Sequence, residues 1–348
     1  MRVFMWPKIN ATNQYNKLLS DSLEAQDIEV HNFPRLNLEN VKKLKGGDIF
    51  HMHWLHGTYQ HQFFPFFLIK VVKMFFFLFL LKAKSVKIVW TLHNLYPHKY
   101  KFKMMEKLVR KCVTSVCNHI FVASDAIRER VLQEYSVPKN KITIIPHGHY
   151  VGVYQSQGIN FRERYGINDE EFVYLFFGQI KPYKGVPNLV KSFQILDEKL
   201  KNQKKISVIV AGKPSDGAEV QTEKLQKENN PHVHLDIRFI PDEELHDLIQ
   251  ASNAVVLPFE EITTSGSAIL ALSLRKIVVA PRTRFLVEYL GDETAVLYNK
   301  DEKNGLAKAM EIAIQSERKF TKENFDKKIE QLSWEKISLQ LKKIYKDL

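Results

Sequence analysis

Short runs of β-branched and aromatic residues recur along this chain, and the stretches between them place apolar residues at the 3.6-residue period of a helix. In the first part the runs are Arg2–Met5, Ile28–Phe33, Asp48–Trp54, Lys87–His93, Ile120–Ala123 and Lys141–Ile145, with helical stretches that include Tyr15–Ala25 and Lys103–Val116. The second part repeats the arrangement with Phe172–Phe177, Ile206–Ala211, His234–Phe239, Ala254–Leu257, Ile277–Ala280 and Ala295–Tyr298, and with helices that include Gly185–Leu200, Asp242–Ala251 and Ser267–Leu274. Strands alternating with helices predict parallel sheets covered on both faces, a doubly wound α/β architecture. Ligands of such sheets bind beyond the carboxyl ends of the strands.

Periodicity lapses between Gly148 and Arg164, which places a domain join there. The expected organisation is a first domain over 1–155, a second over 156–333, and a C-terminal helix over 334–348. That helix carries Ile337, Leu339, Leu341 and Ile344 as its apolar positions and can return to the first domain. A length of 348 residues also favours two cores over one. Two α/β domains with a cleft between them suit holding two substrates against each other, with closure by hinge motion near 148–164.

One unit says more than the rest. From Ala254 to Pro281 an apolar run stops at Pro258, a polar loop carries Thr263, Thr264, Ser265 and Gly266, and a helix and a second run follow. Amides of a helix's first turn lack partners and point outward, so such a loop can hold a phosphate. An ordinary Thr/Ser cap of the helix explains the same residues. A second loop, between the run ending at Gly178 and the helix opened by Gly185, carries Lys181 and Lys184. Two cations there suit a diphosphate, whose charge must be compensated as it leaves. Both loops should emerge at one edge of one sheet.

Charge and composition sharpen the picture of the first domain. Residues 1–155 hold 22 Lys/Arg against 10 Asp/Glu, whereas residues 156–348 hold 29 of each. The whole excess of +12 therefore lies in the first domain and points to an anionic partner, nucleic acid or an acidic membrane leaflet. Phe63–Leu81 is almost wholly apolar but is interrupted by Pro65, Lys70 and Lys73, and is followed by Lys82, Lys84 and Lys87. It is expected to pack in the domain or dip into a membrane interface rather than cross, because crossing would split the sheet that flanks it. Cys112 and Cys117, five apart in one helical stretch, form neither a disulfide framework nor a metal motif and fit a reducing cytoplasm. The start, MRVFMWP, has no secretory pattern.

The segments GQIKPYKG (178–185), VIVAGKPS (208–215), IPDEELHDLIQASNAVVLPF (240–259) and TSG (264–266) together resemble the nucleotide-sugar domain of GT-B glycosyltransferases. DIFHMHWLH (48–56), KIVWTLHNLYPH (87–98) and IIPHG (144–148) resemble the acceptor domain of family-4-like members, which build bacterial surface polysaccharides. The resemblance covers nearly the whole chain. It implies two Rossmann-like domains and transfer of a sugar from a UDP-, GDP- or ADP-sugar, with no other cofactor and no metal. The acceptor it implies is a glycan on a lipid carrier, which fits a basic, Phe-rich first domain in peripheral contact with the inner face of the plasma membrane.

Residue by residue, the resemblance places Lys181 and Lys184 on the donor diphosphate, with Gly178, Gly185, Thr264, Ser265 and Gly266 around them. It matches Thr91, Leu92 and His93 to a motif that puts His93 near the transferred sugar, where it binds a hydroxyl or steadies charge. Asn13, His53, Asn94 and His147 are the acceptor-side candidates. In many relatives the position of Lys181 is arginine, so the bidentate fork is lost here. The family's second glutamate is also missing: Glu260 and Glu261 stand near the first position, but Ala268 and Ile269 follow eight residues on. Glu288 is the remaining candidate for the ribose contact.

His51, His53 and His56 form H-x-H-x-x-H. Strand alternation puts His51 and His53 on one face and His56 beyond the strand end. With no acidic partner in the motif, solvation or acceptor contact at the cleft rim is expected over metal binding. The loop Pro7–Asn13 follows the first strand and can touch either substrate, without a glycine-rich phosphate pattern. Two other readings stay open from the sequence: a sugar-nucleotide epimerase of the same fold, which needs no acceptor, and a non-catalytic basic protein bound to membrane or nucleic acid.

Overall fold

The computed structural model of the chain describes residues 1–10, 13–96, 100–201, 203–227, 230–260 and 264–348. The chain divides into two compact units, Met1–Gly148 with Leu332–Leu348, and His149–Gln331. Unit 1 runs β1 (Arg2–Trp6), α1 (Tyr15–Glu24), β2 (Glu29–Asn32), α2 (Leu38–Lys43), β3 (Ile49–Met52), α3 (His56–Tyr59), α4 (Phe64–Ala83), β4 (Lys87–Leu92), α5 (Lys103–Val116), β5 (His119–Val122), α6 (Asp125–Tyr135) and β6 (Ile142–Ile144). Its sheet is wholly parallel, in the order β2-β1-β3-β4-β5-β6.

Unit 2 runs α7 (Phe161–Tyr165), β7 (Phe172–Phe177), α8 (Val186–Leu200), β8 (Ile206–Ala211), α9 (Glu219–Lys227), β9 (Val233–Asp236), α10 (Asp242–Gln250), β10 (Ala254–Val256), α11 (Gly266–Ser273), β11 (Ile277–Pro281), α12 (Arg284–Tyr289), β12 (Ala295–Tyr298), α13 (Gly305–Gln315) and α14 (Lys322–Gln331). Its sheet, again parallel, has the order β12-β11-β10-β7-β8-β9. The final helix α15 (Trp334–Asp347) belongs to unit 1. Both units are Rossmann-like. Each strand-forming run of the sequence pairs in one of the two sheets. Every residue of β7 and β8 is buried, which is why those strands read as near-continuous apolar runs, with Ser207 as the polar exception in β8.

In unit 1 one sheet face, with Phe50, Trp90 and Ile120, is covered by α4, α5 and α6. The other face, with Val3, Val89 and Phe121, is covered by α1 and α15. Ile337, Leu341 and Tyr345, spaced i, i+4, i+8, form the inner stripe of α15. Leu339 was expected on that stripe but is 48% exposed, because two residues on from Ile337 is the opposite side of a helix. The tie to α1 is polar as well: the Ser22 hydroxyl donates to the Trp334 carbonyl at 2.7 Å, and Lys342 donates to the Gln26 carbonyl at 2.6 Å.

The units part at Gly148/His149, ahead of the expected 155/156. Hydrogen bonding explains the difference, because the segment after His149 is fastened into unit 2. The Tyr150 amide donates to Ser273 Oγ at 2.9 Å, and the Gln157 and Ile159 amides donate to Asp247 Oδ2 at 2.8 and 2.9 Å. Burial alone would raise the Asp247 carboxyl, but donors from Ser156, His246 and those two amides hold it well below the usual carboxylate range.

Helix α4 covers the Phe-rich run. Its most apolar 18-residue window has a mean hydropathy of 2.2, and only 33% of that window is buried. By length and composition alone it could cross a membrane. Yet Phe67, Val71, Met74, Phe77, Leu78 and Leu81 are packed into the unit 1 core, so the helix is part of the fold.

Candidate active site

Three loops of unit 2 meet at the carboxyl edge of its sheet because β7 lies between β10 and β8. The loops after β7 and β8 are joined by backbone bonds. The Ile180 amide donates to the Lys213 carbonyl at 3.0 Å, and the Ser215 amide donates to the Ile180 carbonyl at 2.9 Å. The loop after β7 also touches the one after β10. Gly185 has φ +68°, and a Cβ there would lie 2.2 Å from the Pro258 carbonyl oxygen. Only glycine satisfies both demands.

Gly178 ends β7, and Lys184 closes a turn of 3₁₀ helix, Pro182–Lys184. A Cβ built on Gly178 would stand 3.7 Å from Lys184 Nζ and 3.8 Å from Ser267 Oγ, so those two groups converge over that glycine. Lys184 Nζ lies 5.9 Å from the centre of the Phe176 ring and 5.7 Å from that of Phe259. Burial, with the charge of Lys181 adding to it, pushes the Lys184 ammonium down to about 8. Lys181 differs, since its Nζ is held by Asp216 Oδ2 at 3.2 Å. Lys184 is thus a desolvated cation supported by rings rather than by a carboxylate.

The helix cap expected as the ordinary explanation is present: Ser265 Oγ accepts from the Ala268 amide at 3.1 Å. It satisfies one first-turn amide of α11 and leaves those of Gly266 and Ser267 ahead of any intrahelical carbonyl. Thr264 is half-buried just before them. Capping and anion binding therefore coexist at this turn. The Glu260 amide donates to the Tyr183 carbonyl at 2.8 Å, and its own carbonyl receives Lys300 Nζ. Glu261 and Thr263 lie outside the described residues. Glu288 is exposed near the C-terminal end of α12, about one turn along from the strand edge.

In unit 1 the sequence candidates form a histidine cluster. His51 in β3 and His53 just past its end have ring centroids 4.4 Å apart, while His56 heads α3. His51 is wholly buried: its Nε2 pairs with Thr91 Oγ1 at 2.7 Å and its Nδ1 with the Tyr345 hydroxyl at 2.6 Å. His53 is 2% exposed and lies beneath His93, with Nδ1 3.1 Å from His93 Nε2. The expectation that these two histidines line a rim is corrected, because the strand carries both rings into the interior. His93 is half-buried, stacked on Trp54 at 4.6 Å and met edge-on by Tyr15 at 4.9 Å. His147 is buried, with Nδ1 2.8 Å from the Gly148 carbonyl.

Burial pushes all four rings toward the neutral form, to about 3 at His51 and about 4 at His147. His53 and His93 fall well below the ordinary value, mainly by burial and then by neighbouring histidines. A single proton lies on the His53–His93 contact. His53 Nε2 is buried and has no partner among the described residues. Bare buried acceptors are tolerated better than bare buried N–H groups, which puts the proton on His53 Nδ1. His93 then receives at Nε2 and offers Nδ1–H. It can donate to a hydroxyl, but as a neutral ring it supplies no full charge.

Two other acceptor-side candidates have structural work. The Asn13 side chain accepts from the Tyr15 amide at 2.9 Å and fixes the entry to α1; Ala11 and Thr12 in the same loop lie outside the described residues. The Asn94 carbonyl accepts from Arg110 at 3.0 Å. The sequence reading missed Ser267, Asp216, Trp54 and Tyr15. Ser267 directly follows the TSG motif and Trp54 lies inside the DIFHMHWLH motif, so position in or beside a quoted motif was the available signal.

The Glycosyl transferases group 1 model matches residues 159–331, and the Glycosyltransferase Family 4 model matches residues 19–150. The chain belongs to the GT-B glycosyltransferases. This glycosyltransferase is 25% identical over 289 residues to a GDP-mannose:glycolipid 4-beta-D-mannosyltransferase of Xanthomonas campestris pv. campestris, covering 80% of the chain and 73% of the relative. It is 23% identical to the capsular polysaccharide biosynthesis glycosyltransferase CapM of Staphylococcus aureus, over 67% of the chain and 63% of CapM. Its fold is shared with sucrose-phosphate synthase from Thermosynechococcus elongatus (TM-score 0.73, 18% identity, 100% of the chain and 98% of the other). HepE of Anabaena, solved with UDP, is similar to the same degree (TM-score 0.73, 15% identity, 100% of both chains).

Proposed function

We propose that this glycosyltransferase moves a hexose from a nucleoside-diphosphate sugar to a lipid-linked glycan during exopolysaccharide or capsule synthesis. On this reading it works at the inner face of the plasma membrane, and the donor is a UDP-, GDP- or ADP-sugar. The observation that carries the reading is Lys184, a desolvated ammonium beside Gly178 and Ser267, where a diphosphate would replace the water it has lost. The glycolipid acceptor named for the Xanthomonas relative, and the capsular role named for CapM, support the acceptor class.

In mechanism, Lys184, Lys181 and the first-turn amides of α11 hold the diphosphate and take up the charge that develops as the bond to the anomeric carbon breaks. Stabilisation of this leaving group is worth more in the transition state than in the bound donor, so it raises turnover. His93, donating from Nδ1, binds a sugar hydroxyl. The lysines and helix amides supply the charge compensation, so turnover is expected to persist in a chelator.

The test is a thermal-shift panel of UDP-, GDP- and ADP-sugars, followed by transfer to membrane-extracted lipid acceptors in EDTA. Selective stabilisation by one donor, with label moved into lipid, is the expected result. No stabilisation at millimolar donor defeats the reading. Conversion of the sugar-nucleotide without any acceptor favours an epimerase instead.

A further inference from the structure

Among the described residues, no element of unit 1 covers the outer face of α4. Ile69, Val72, Phe76 and Phe79 follow one another at intervals of three, four and three residues and are 61, 61, 52 and 69% exposed. A soluble surface seldom carries so long an unbroken apolar stripe. The neighbouring helix α5, which covers the same sheet face, adds Met104 at 87% and Leu108 at 52% exposure.

Charge decides what this face meets. Helix α4 contains no acidic residue, and the single acid of α5, Glu106, is buried against Arg110 Nε at 2.7 Å. Lys73 and Lys82 on α4, and Lys103 and Lys111 on α5, are all exposed. On α4 and α5 the apolar stripe is therefore flanked by cations alone, and Glu39 of α2, the helix packed beside α4, is paired with Lys43 at 3.5 Å. A second copy of this chain would bring those cations against one another, whereas an anionic leaflet satisfies both the stripe and its flanks.

We propose that α4 lies in the plane of an anionic membrane, its Ile69–Phe79 stripe sunk among the acyl chains and the lysines of α4 and α5 at the phosphates. The helix does not cross, because its other face, from Phe67 to Leu81, is the core of unit 1. The cavity of about 480 Å³ lined by Gln60, Tyr100, Lys101, Phe102 and Glu106 also takes its wall from Phe67 of α4, so it adjoins the N-terminal end of the docked helix. The proposal deepens the lipid-acceptor reading, by naming the surface through which the enzyme reaches a substrate held in the leaflet.

The experiment is co-sedimentation of the full chain with vesicles of phosphatidylcholine alone, or of phosphatidylcholine and phosphatidylglycerol in equal parts. Wild type is expected on the anionic vesicles only. Replacement of all four stripe residues by serine (Ile69→Ser, Val72→Ser, Phe76→Ser, Phe79→Ser) should lower partitioning at least about tenfold. A second variant, Lys73→Glu with Lys103→Glu and Lys111→Glu, should do so while leaving the stripe intact. Binding that is equal on neutral vesicles, or unchanged in both variants, overturns the proposal. So does a wild-type dimer that the serine variant dissociates and that ignores vesicles. Thermal stabilisation by donor nucleotide reads unit 2 separately. If the transferase reading fails, vesicle binding persists without it; if docking fails, nucleotide stabilisation persists without vesicles.

Discussion

Gly185 lies so close to Pro258 that an added Cβ would stand 2.2 Å from the proline's carbonyl oxygen. This contact, made at a positive φ, holds the lysine loop after β7 against the loop after β10. Gly185→Ala should cost about 2–4 kcal/mol, combining left-handed strain with overpacking, and should weaken nucleotide binding with it. Gly166 supplies the control, because it has the same φ of +68° with nothing within 4 Å of a built Cβ. Gly166→Ala should cost only about 1 kcal/mol in urea unfolding. Equal losses at the two positions would refute the contact argument.

Function and stability should move in opposite directions at Lys184. Its lowered pKa means that the fold bears an ammonium less readily than water does. Lys184→Met keeps the stem against Phe176 and Phe259 and removes that charge, so stability at neutral pH should rise by about 1–3 kcal/mol. Turnover should fall at least about tenfold through lost stabilisation of the leaving diphosphate. Near-normal turnover at saturating donor would remove Lys184 from the mechanism.

The same lysine sets a pH dependence whose sign can be worked out. Below pH about 8 the ammonium is present, and donor binding needs no proton. Above that value the free protein has lost the proton, and binding an anion must restore it. Affinity should then weaken toward about tenfold per pH unit until the pKa of the complex is reached. Lys184→Arg keeps its charge throughout and should flatten the profile. Calorimetric titration of nucleoside diphosphate between about pH 7 and 9.5 measures both; parallel profiles would show that Lys184 does not titrate on binding.

What was legible in the sequence was whatever depends on local pattern. Phe172–Phe177, Ile206–Ala211 and Ala295–Tyr298 read with correct bounds because buried or nearly buried strands are predominantly apolar runs. The run His234–Phe239 was read too far: Arg238 turns to Asp236 Oδ1 at 2.8 Å and also to Glu244, so the strand ends at Asp236 and Phe239 is left 70% exposed. At the site, Lys184 and the α11 cap were legible from spacing. Burial of His53 was not, since alternation says which side a ring takes and not what lies over it. Ser267 escaped for a similar reason: only tertiary packing brings its hydroxyl over Gly178.

Acid should weaken unit 1 through its buried histidines. His51 and His147 stay neutral in the fold down to about 3 and about 4, whereas in the unfolded chain each binds a proton near the ordinary value of 6.5. The unfolded state thus holds more protons between those limits, and stability must fall as pH drops through 6.5. At pH 5 each ring accounts for about 2 kcal/mol relative to neutral pH. Asp247, held well below the usual carboxylate range, contributes only in stronger acid, so its loss is separable from theirs. Urea unfolding at about pH 7.5 and 5 should show the fall. His51→Asn removes one titrating ring along with its pairing to Thr91 and Tyr345. This variant should be less stable at pH 7.5 yet lose about 2 kcal/mol less on acidification. An identical loss in the variant and the wild type would mean that His51 takes up its proton inside the folded unit.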